Sequence, residues 1–252
     1  MGDTRETKLV PVRWGALGTV LWSFLITIVF LISQVLIFRF FTEYRYGSIS
    51  SIEHDRLRSE ILYNGDLLIF SLITSTAICI PLILLVIKLK QGTNIKEYLG
   101  IKMVQLPVLK RWLIIIVTLV FINDSITLLI GKPIVPEFMT IALGSTTSIF
   151  GMCLALTVFA PLFEELLFRG FLFSGISSTK IGHIGAIIIT SISWATIHLQ
   201  YDLYWIFSIF IFGMVLGVAR YKSGSVILVF GLHAFNNLIS FIEALIVINP
   251  NA

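Results

Sequence analysis

IFGMCLALTVFAPLFEELLFRGFLFSGIS, residues 149 to 177, is the stretch on which the fold turns. It is apolar from end to end and longer than the roughly 17 to 25 residues that cross hydrocarbon as a helix, yet Glu164, Glu165 and Arg169 sit inside it. A carboxylate at the bilayer centre costs about 3 kcal/mol on insertion scales, so an acidic pair at that depth marks a functional site by default.

Comparable segments lie on both sides. Apolar runs cover about 14 to 41, 66 to 89, 111 to 131, 183 to 200 and 224 to 248, with a shorter one at 203 to 219. With 57% hydrophobic and 13% charged residues, the composition exceeds what a soluble domain carries. The expected fold is therefore all-α, a polytopic transmembrane helical bundle of about seven spans. The first segment is too long for a removable signal peptide and has no small-residue cleavage site, so it is expected to remain as a helix. The opening MGDTRE lacks the Ser or Thr at position six that N-myristoylation wants.

Cytoplasmic loops gather Lys and Arg, which orients the bundle. With the N-terminus inside, the inner segments hold Arg5, Lys8, Arg13, Lys88, Lys90, Lys96, Lys102, Lys110, Arg111, Arg169, Lys180, Arg220 and Lys222. Outside remain Arg39, Arg45, Arg56, Arg58 and Lys132, most of them offset by Glu43, Glu53, Asp55 and Glu60 in one long loop that also holds His54. The expectation is N-in, C-out. The net charge of +4 is on this account a topology signal. No basic stripe alternates with exposed aromatics, so nucleic acid is not an expected partner. Cys79 and Cys153 fall within spans and read as small apolar fillers.

Residues 1–110 form N-terminal scaffold spans ending in a basic cytoplasmic loop, whose 90–110 segment is partly amphipathic and expected to lie on the inner surface. Residues 111–252 form a helical core that holds every candidate catalytic side chain. Gly213 and Gly217 make a GxxxG step that permits close helix contact. Pro161 cannot donate a backbone bond and should loosen the helix three residues before Glu164, freeing the Thr157 carbonyl.

Depth brings the polar residues together. Counting 1.5 Å per residue from an inner turn near 179–180 places Glu164 roughly 22 Å and His198 roughly 27 Å into the membrane. From a turn near Lys222, His233 and Asn237 fall at roughly 16 and 22 Å. His233 and Asn237 are four apart and share a helix face. A carboxylate in an apolar pocket can take a proton from water; an imidazole can share that water, and a second imidazole with a carboxamide can donate to an oxyanion. The implied chemistry is hydrolysis of a carbonyl compound. Glu165 and Arg169 are spaced for an ion pair. Because adjacent helical residues diverge by about 100°, Glu164 is assigned as base and Glu165 as its support. His183 reads as a structural residue, as do Asn123 and Asp124; Asn236 neighbours Asn237 on nearly the same face.

The same residues resemble a known family. EELLFR at 164–169 is similar to the EExxxR motif of the CPBP family, the type II CAAX prenyl endopeptidases and their bacterial Abi relatives. WATIH at 194–198 resembles its FxxxH motif, and HAFNN at 233–237 its HxxxN motif. Trp194 stands where the family usually has Phe, a departure read as one of packing. The resemblance, over about 145–245, implies a CAAX prenyl endopeptidase-like intramembrane protease. Glu164 and His198 would position the water, and His233 and Asn237 would form the oxyanion site, with no cofactor. It also implies a multi-pass protein of a bacterial inner or plasma membrane, with membrane lipid and a peptide or lipidated protein substrate as partners. Eukaryotic members cut prenylated CAAX proteins; bacterial ones are linked to peptide maturation, bacteriocin immunity and signalling.

Two alternatives stay open. Glu164, His198 and His233 could hold zinc, although no HExxH run is present. A bacteriocin-immunity or transport-type protein could use the same polar groups without catalysis, although no inverted repeat is visible. Phe163, Phe168, Phe171, Phe173, Trp194 and Trp205 flank the site and would suit a lipidated or transmembrane substrate.

Overall fold

The computed structural model describes residues 14–46 and 63–249. The basic residues Arg5, Lys8 and Arg13, most of the charged outer loop and its His54 lie outside the described residues. Nine helices and no strand are present among the described residues. We number them α1 (Ala16–Tyr46), α2 (Gly65–Leu89), α3 (Ile95–Leu99), α4 (Leu106–Leu129), α5 (Glu137–Gly144), α6 (Ile149–Ser177), α7 (Gly182–Thr196), α8 (Leu203–Ser223) and α9 (Val226–Ile248). The fold is an all-α helical bundle of a multi-pass membrane protein. Among the described residues, α1, α2, α4, α6, α8 and α9 are each long and apolar enough to cross a membrane, whereas α7 is shorter.

The short span is not the one expected from hydropathy. The 203–219 segment extends to a helix of 21 residues, because Asp202 caps its start by accepting from the Tyr204 and Trp205 amides, and left-handed Gly224 closes its end. The 183–200 segment instead stops at Thr196 and continues as a turn through Ile197–Tyr201. Ile197 and Leu199 keep that turn apolar, so hydropathy alone cannot register the break.

Polar caps set the helix starts. Asn64 caps α2 by accepting from Leu67 N–H, and Ser225 caps α9 by accepting from Leu228 N–H. Asp66, in the first turn of α2, accepts from Thr146 Oγ1 at 2.7 Å, Thr147 N at 2.8 Å and Thr147 Oγ1 at 2.9 Å. That clasp fixes the loop leading into α6.

Lipid tails are as apolar as leucine, so helix association rests on close packing and on polar contacts rather than on removal from water. The GxxxG step does this work between α7 and α8: a Cβ at Gly217 would meet Ile187 at 3.0 Å, and one at Gly213 would meet Trp194 and Arg169 at 3.1 Å. Phe30 of α1 stacks on Phe163 of α6 at 4.0 Å, and the Trp14 indole donates to the Val86 carbonyl. One apolar cluster thus runs through α1, α2 and the later helices alike. Large apolar side chains such as Phe24, Phe70 and Phe121 face outward, as they would toward lipid.

The 90–110 segment is anchored to the bundle at its middle. Asn94 caps α3, Gly100 ends it at φ +71°, and Tyr98 and Leu99 are fully buried, with Tyr98 stacked on Phe171 at 5.5 Å. Tyr98 and Leu99 thus face the protein, whereas Met103 and Leu106 remain exposed.

Candidate active site

α6 is not a uniform α-helix. Ala155–Phe159 and Glu165–Leu172 are wound with i→i+5 bonds, a geometry that often marks functional sites. The first wide turn precedes Pro161, in agreement with the expected loosening. Because Ala160 N–H bonds Ala155 and Pro161 has no N–H, the carbonyl that is released and then capped is that of Leu156, one residue before the expected Thr157. Asn237 Nδ2 donates to it at 2.9 Å.

Glu165 opens the second wide turn, and Glu164 is the residue just before it. A turn that holds more residues separates consecutive side chains by less angle, and both glutamates reach one imidazole from opposite ends. Glu165 Oε1 lies 2.9 Å from His233 Nδ1, and Glu164 Oε2 lies 3.9 Å from His233 Nε2. They approach different atoms, as the divergence of neighbouring residues requires. Arg169 Nη1 donates to Glu165 Oε1 at 2.9 Å, completing the expected i,i+4 pair with both side chains fully buried. Arg169 Nη2 continues to the Gly213 carbonyl at 3.3 Å, so the GxxxG step also supplies an acceptor. Glu165 Oε2 and Arg169 Nε have no hydrogen-bond partner.

Trp194 occupies the centre, and here its departure from phenylalanine is chemical as well as spatial. Its indole N–H donates to Glu164 Oε2 at 2.5 Å, its ring lies 4.4 Å from the Arg169 guanidinium carbon, and it stands edge-on to His198 at 5.2 Å and His233 at 5.1 Å. Its carbonyl takes His198 Nδ1 at 2.9 Å. A carbonyl only accepts, so His198 carries its proton on Nδ1 and presents Nε2 as a lone pair. By the same logic Glu165, paired with Arg169, holds the proton of His233 on Nδ1. The turn bearing His198 ends at Asp202, whose bond to Lys132, 2.6 Å long, holds its carboxyl below the usual range.

Glu164, Trp194, His198, His233, Asn236 and Asn237 line a cavity of about 970 Å³, and Glu165 and Arg169 are fully buried beside them. All six sequence-derived site residues are thus brought together. Of the aromatics expected to flank the site, Trp194 and Trp205 line the cavity, whereas Phe163, Phe168, Phe171 and Phe173 are core residues. His183 stacks near Tyr221 at 4.6 Å, and Cys79 and Cys153 are free, as expected of packing residues.

The far wall holds a residue that spacing did not reveal. Asp124 of α4, read from the sequence as structural, hydrogen-bonds Glu243 of α9 within the same cavity. Ten residues separate Glu243 from His233, roughly 15 Å along the helix. For zinc, the pair Glu164–His233 is close, but among the described residues no three His, Cys, Asp or Glu side chains are disposed to hold a metal ion. No step is therefore derived through one.

Buried acids and imidazoles thus meet at an apolar cavity within a bundle of apolar helices. Residues 146–239, a stretch that contains all three motifs, match the family described as type II CAAX prenyl endopeptidase Rce1-like. No curated protein and no solved structure matches the chain.

Proposed function

We propose that this chain is an intramembrane endopeptidase that cuts a peptide bond of a membrane-associated, CAAX-like substrate with a water activated by Glu164. The observation that carries this reading is the 3.9 Å separation of Glu164 Oε2 from His233 Nε2 at the wall of a cavity within apolar helices. It exceeds a direct hydrogen bond and leaves the two atoms free to act on a third group.

Glu164 accepts a proton as water attacks the scissile carbonyl, and the lone pair on His198 Nε2 orients the same water. Negative charge then develops on the carbonyl oxygen. His233, whose Nδ1 proton is directed to Glu165, donates from Nε2 as imidazolium. Asn237 uses one amide hydrogen on Leu156 and has the second for the oxyanion. Glu164 returns its proton to the leaving amine. With Glu164 and Glu165 ionised, Arg169 and an imidazolium at His233 bring the centre to neutrality, as a buried charge cluster needs.

The apolar wall, including Phe138, Trp205, Phe207 and Phe212, suits a lipidated or hydrophobic peptide. We place the chain in a bacterial plasma membrane with its N-terminus inside. Purified protein in vesicles, given prenylated and unprenylated peptides with and without a strong chelator, tests the reading. Cleavage of the prenylated peptide that survives chelation and is lost in Glu164→Gln supports it. Cleavage lost on chelation would establish the zinc version, and wild type that cuts nothing while inserted and folded would favour a non-enzymatic role.

A further inference from the structure

The second wide turn of α6 has a consequence at its exit. In an α-helix the Arg169 carbonyl would take the Phe173 N–H, but here that N–H bonds the carbonyl of Phe168, five residues back, before α-helical winding resumes. Each such turn releases one carbonyl, and a bare carbonyl inside a membrane costs several kcal/mol. At the first wide turn the released Leu156 carbonyl is capped by Asn237 of α9. At the second, Arg220 of α8 supplies the cap: its Nε donates to the Arg169 carbonyl at 2.8 Å.

Arg220 is built into place from three sides. Nη2 donates to the Leu99 carbonyl at 3.1 Å and to Ser174 Oγ at 3.2 Å, and the guanidinium lies 5.5 Å from the Phe173 ring centroid. The room for it depends on Gly100, where any Cβ would collide with Nη2. The residue is buried, and the contact at Leu99 ties α3, and with it the basic segment, to the catalytic helix.

We propose that Arg220 is a positioning residue for the active site: by capping the Arg169 carbonyl it holds the wide turn open, and the wide turn is what lets Glu164 and Glu165 reach opposite ends of His233. Without the cap, the turn recovers its lost bond by rewinding toward α-helix, which rotates the acids relative to His233. The residue touches no reacting atom. The inference deepens the protease reading and rests on it for its kinetic arm, while its structural arm does not.

The test compares Arg220→Met, Arg220→Lys and Ser174→Ala in the full chain in lipid nanodiscs. Arg220→Met is expected to lower kcat about 100-fold with KM within about threefold, since a misplacement near 1 Å has that effect. Arg220→Lys keeps one donor but not the fork and should lose about tenfold; Ser174→Ala removes a contact that does not involve the Arg169 carbonyl and should stay within twofold. Backbone hydrogen exchange, read by mass spectrometry, should quicken across 165–176 in Arg220→Met while α4 is unchanged. Unaltered exchange there, or kcat within threefold of wild type, overturns the proposal. Should Arg220→Met fail to insert, Arg220→Lys against Ser174→Ala decides, and equal rates for the two overturn it. Wild type that cuts nothing counts against the protease reading alone, and the exchange measurement still judges the cap.

Discussion

Two pairs of acids share one cavity and are handled in opposite ways. Glu164 and Glu165 face a guanidinium, an indole N–H and an imidazole. Asp124 and Glu243, farther along α9, have each other and the Asn123 amide at 3.5 Å. An acid in an apolar setting stays ionised only when opposing charge and donors replace its water; otherwise it takes a proton. On the proposed function, the first pair gives and accepts protons during the reaction. The second faces itself across α4 and α9 at the far wall of the cavity. The carboxyls alone do not distinguish a reactive pair from a structural one, and their neighbours do.

Breaking the reactive pair at its base should give the largest effect. Glu164→Gln keeps an oxygen to accept the Trp194 N–H, so the site stays assembled while the base is lost. Cleavage should fall about 10³- to 10⁴-fold, in line with a general base, with insertion and thermal stability near wild type. Breaking the compensation instead should strike the fold. Arg169→Met strands Glu165 as a buried charge, and a loss of about 3–5 kcal/mol is expected. Melting in detergent checks this, and adding Glu165→Gln should restore most of it. A double variant no more stable than Arg169→Met would show that the ion pair is not what Arg169 contributes.

The sequence carried the reactive pair well. Glu164, Glu165, Arg169, His198, His233 and Asn237 stand at motif spacings, and in the fold Glu164, His198, His233 and Asn237 line one cavity with Glu165 and Arg169 buried beside it. What it could not carry are the features that depend on which atoms meet. Pro161 announces a loosening of α6 but not i→i+5 winding over 165–172, whose released carbonyl meets Arg220, a residue of another helix. Asp124 was visible as an acid in a span, but its partner Glu243 comes from a helix more than a hundred residues on, and no spacing rule links them. Trp194 was visible as a large aromatic; that its N–H falls on Glu164 is set by the crossing of α6 and α7.

Trp194 offers the next effect in size. Phenylalanine fills nearly the same space and cannot donate, so Trp194→Phe removes one hydrogen bond to an ionised group, worth about 1.5–3 kcal/mol. If the bond matters in the transition state, kcat drops roughly 10- to 150-fold with the fold intact. A variant as active as wild type would return Trp194 to the role of packing residue and move it out of the reactive half of the comparison.

The smallest effect belongs to the structural pair. Glu243→Gln replaces a carboxyl by an amide of the same shape that can donate to Asp124, a substitution that leaves neither group facing an apolar side chain. Cleavage should remain within about threefold of wild type and stability within about 1 kcal/mol. Glu243→Leu, in contrast, leaves Asp124 facing the cavity with Asn123 as its neighbour, and should lower stability by about 1–3 kcal/mol while the reactive pair keeps its geometry. A large loss of kcat in Glu243→Gln at unchanged stability would mean that the Glu243 carboxyl itself is used in turnover. The two ends of the cavity would then be one proton-handling system, not a reaction centre and a structural pair.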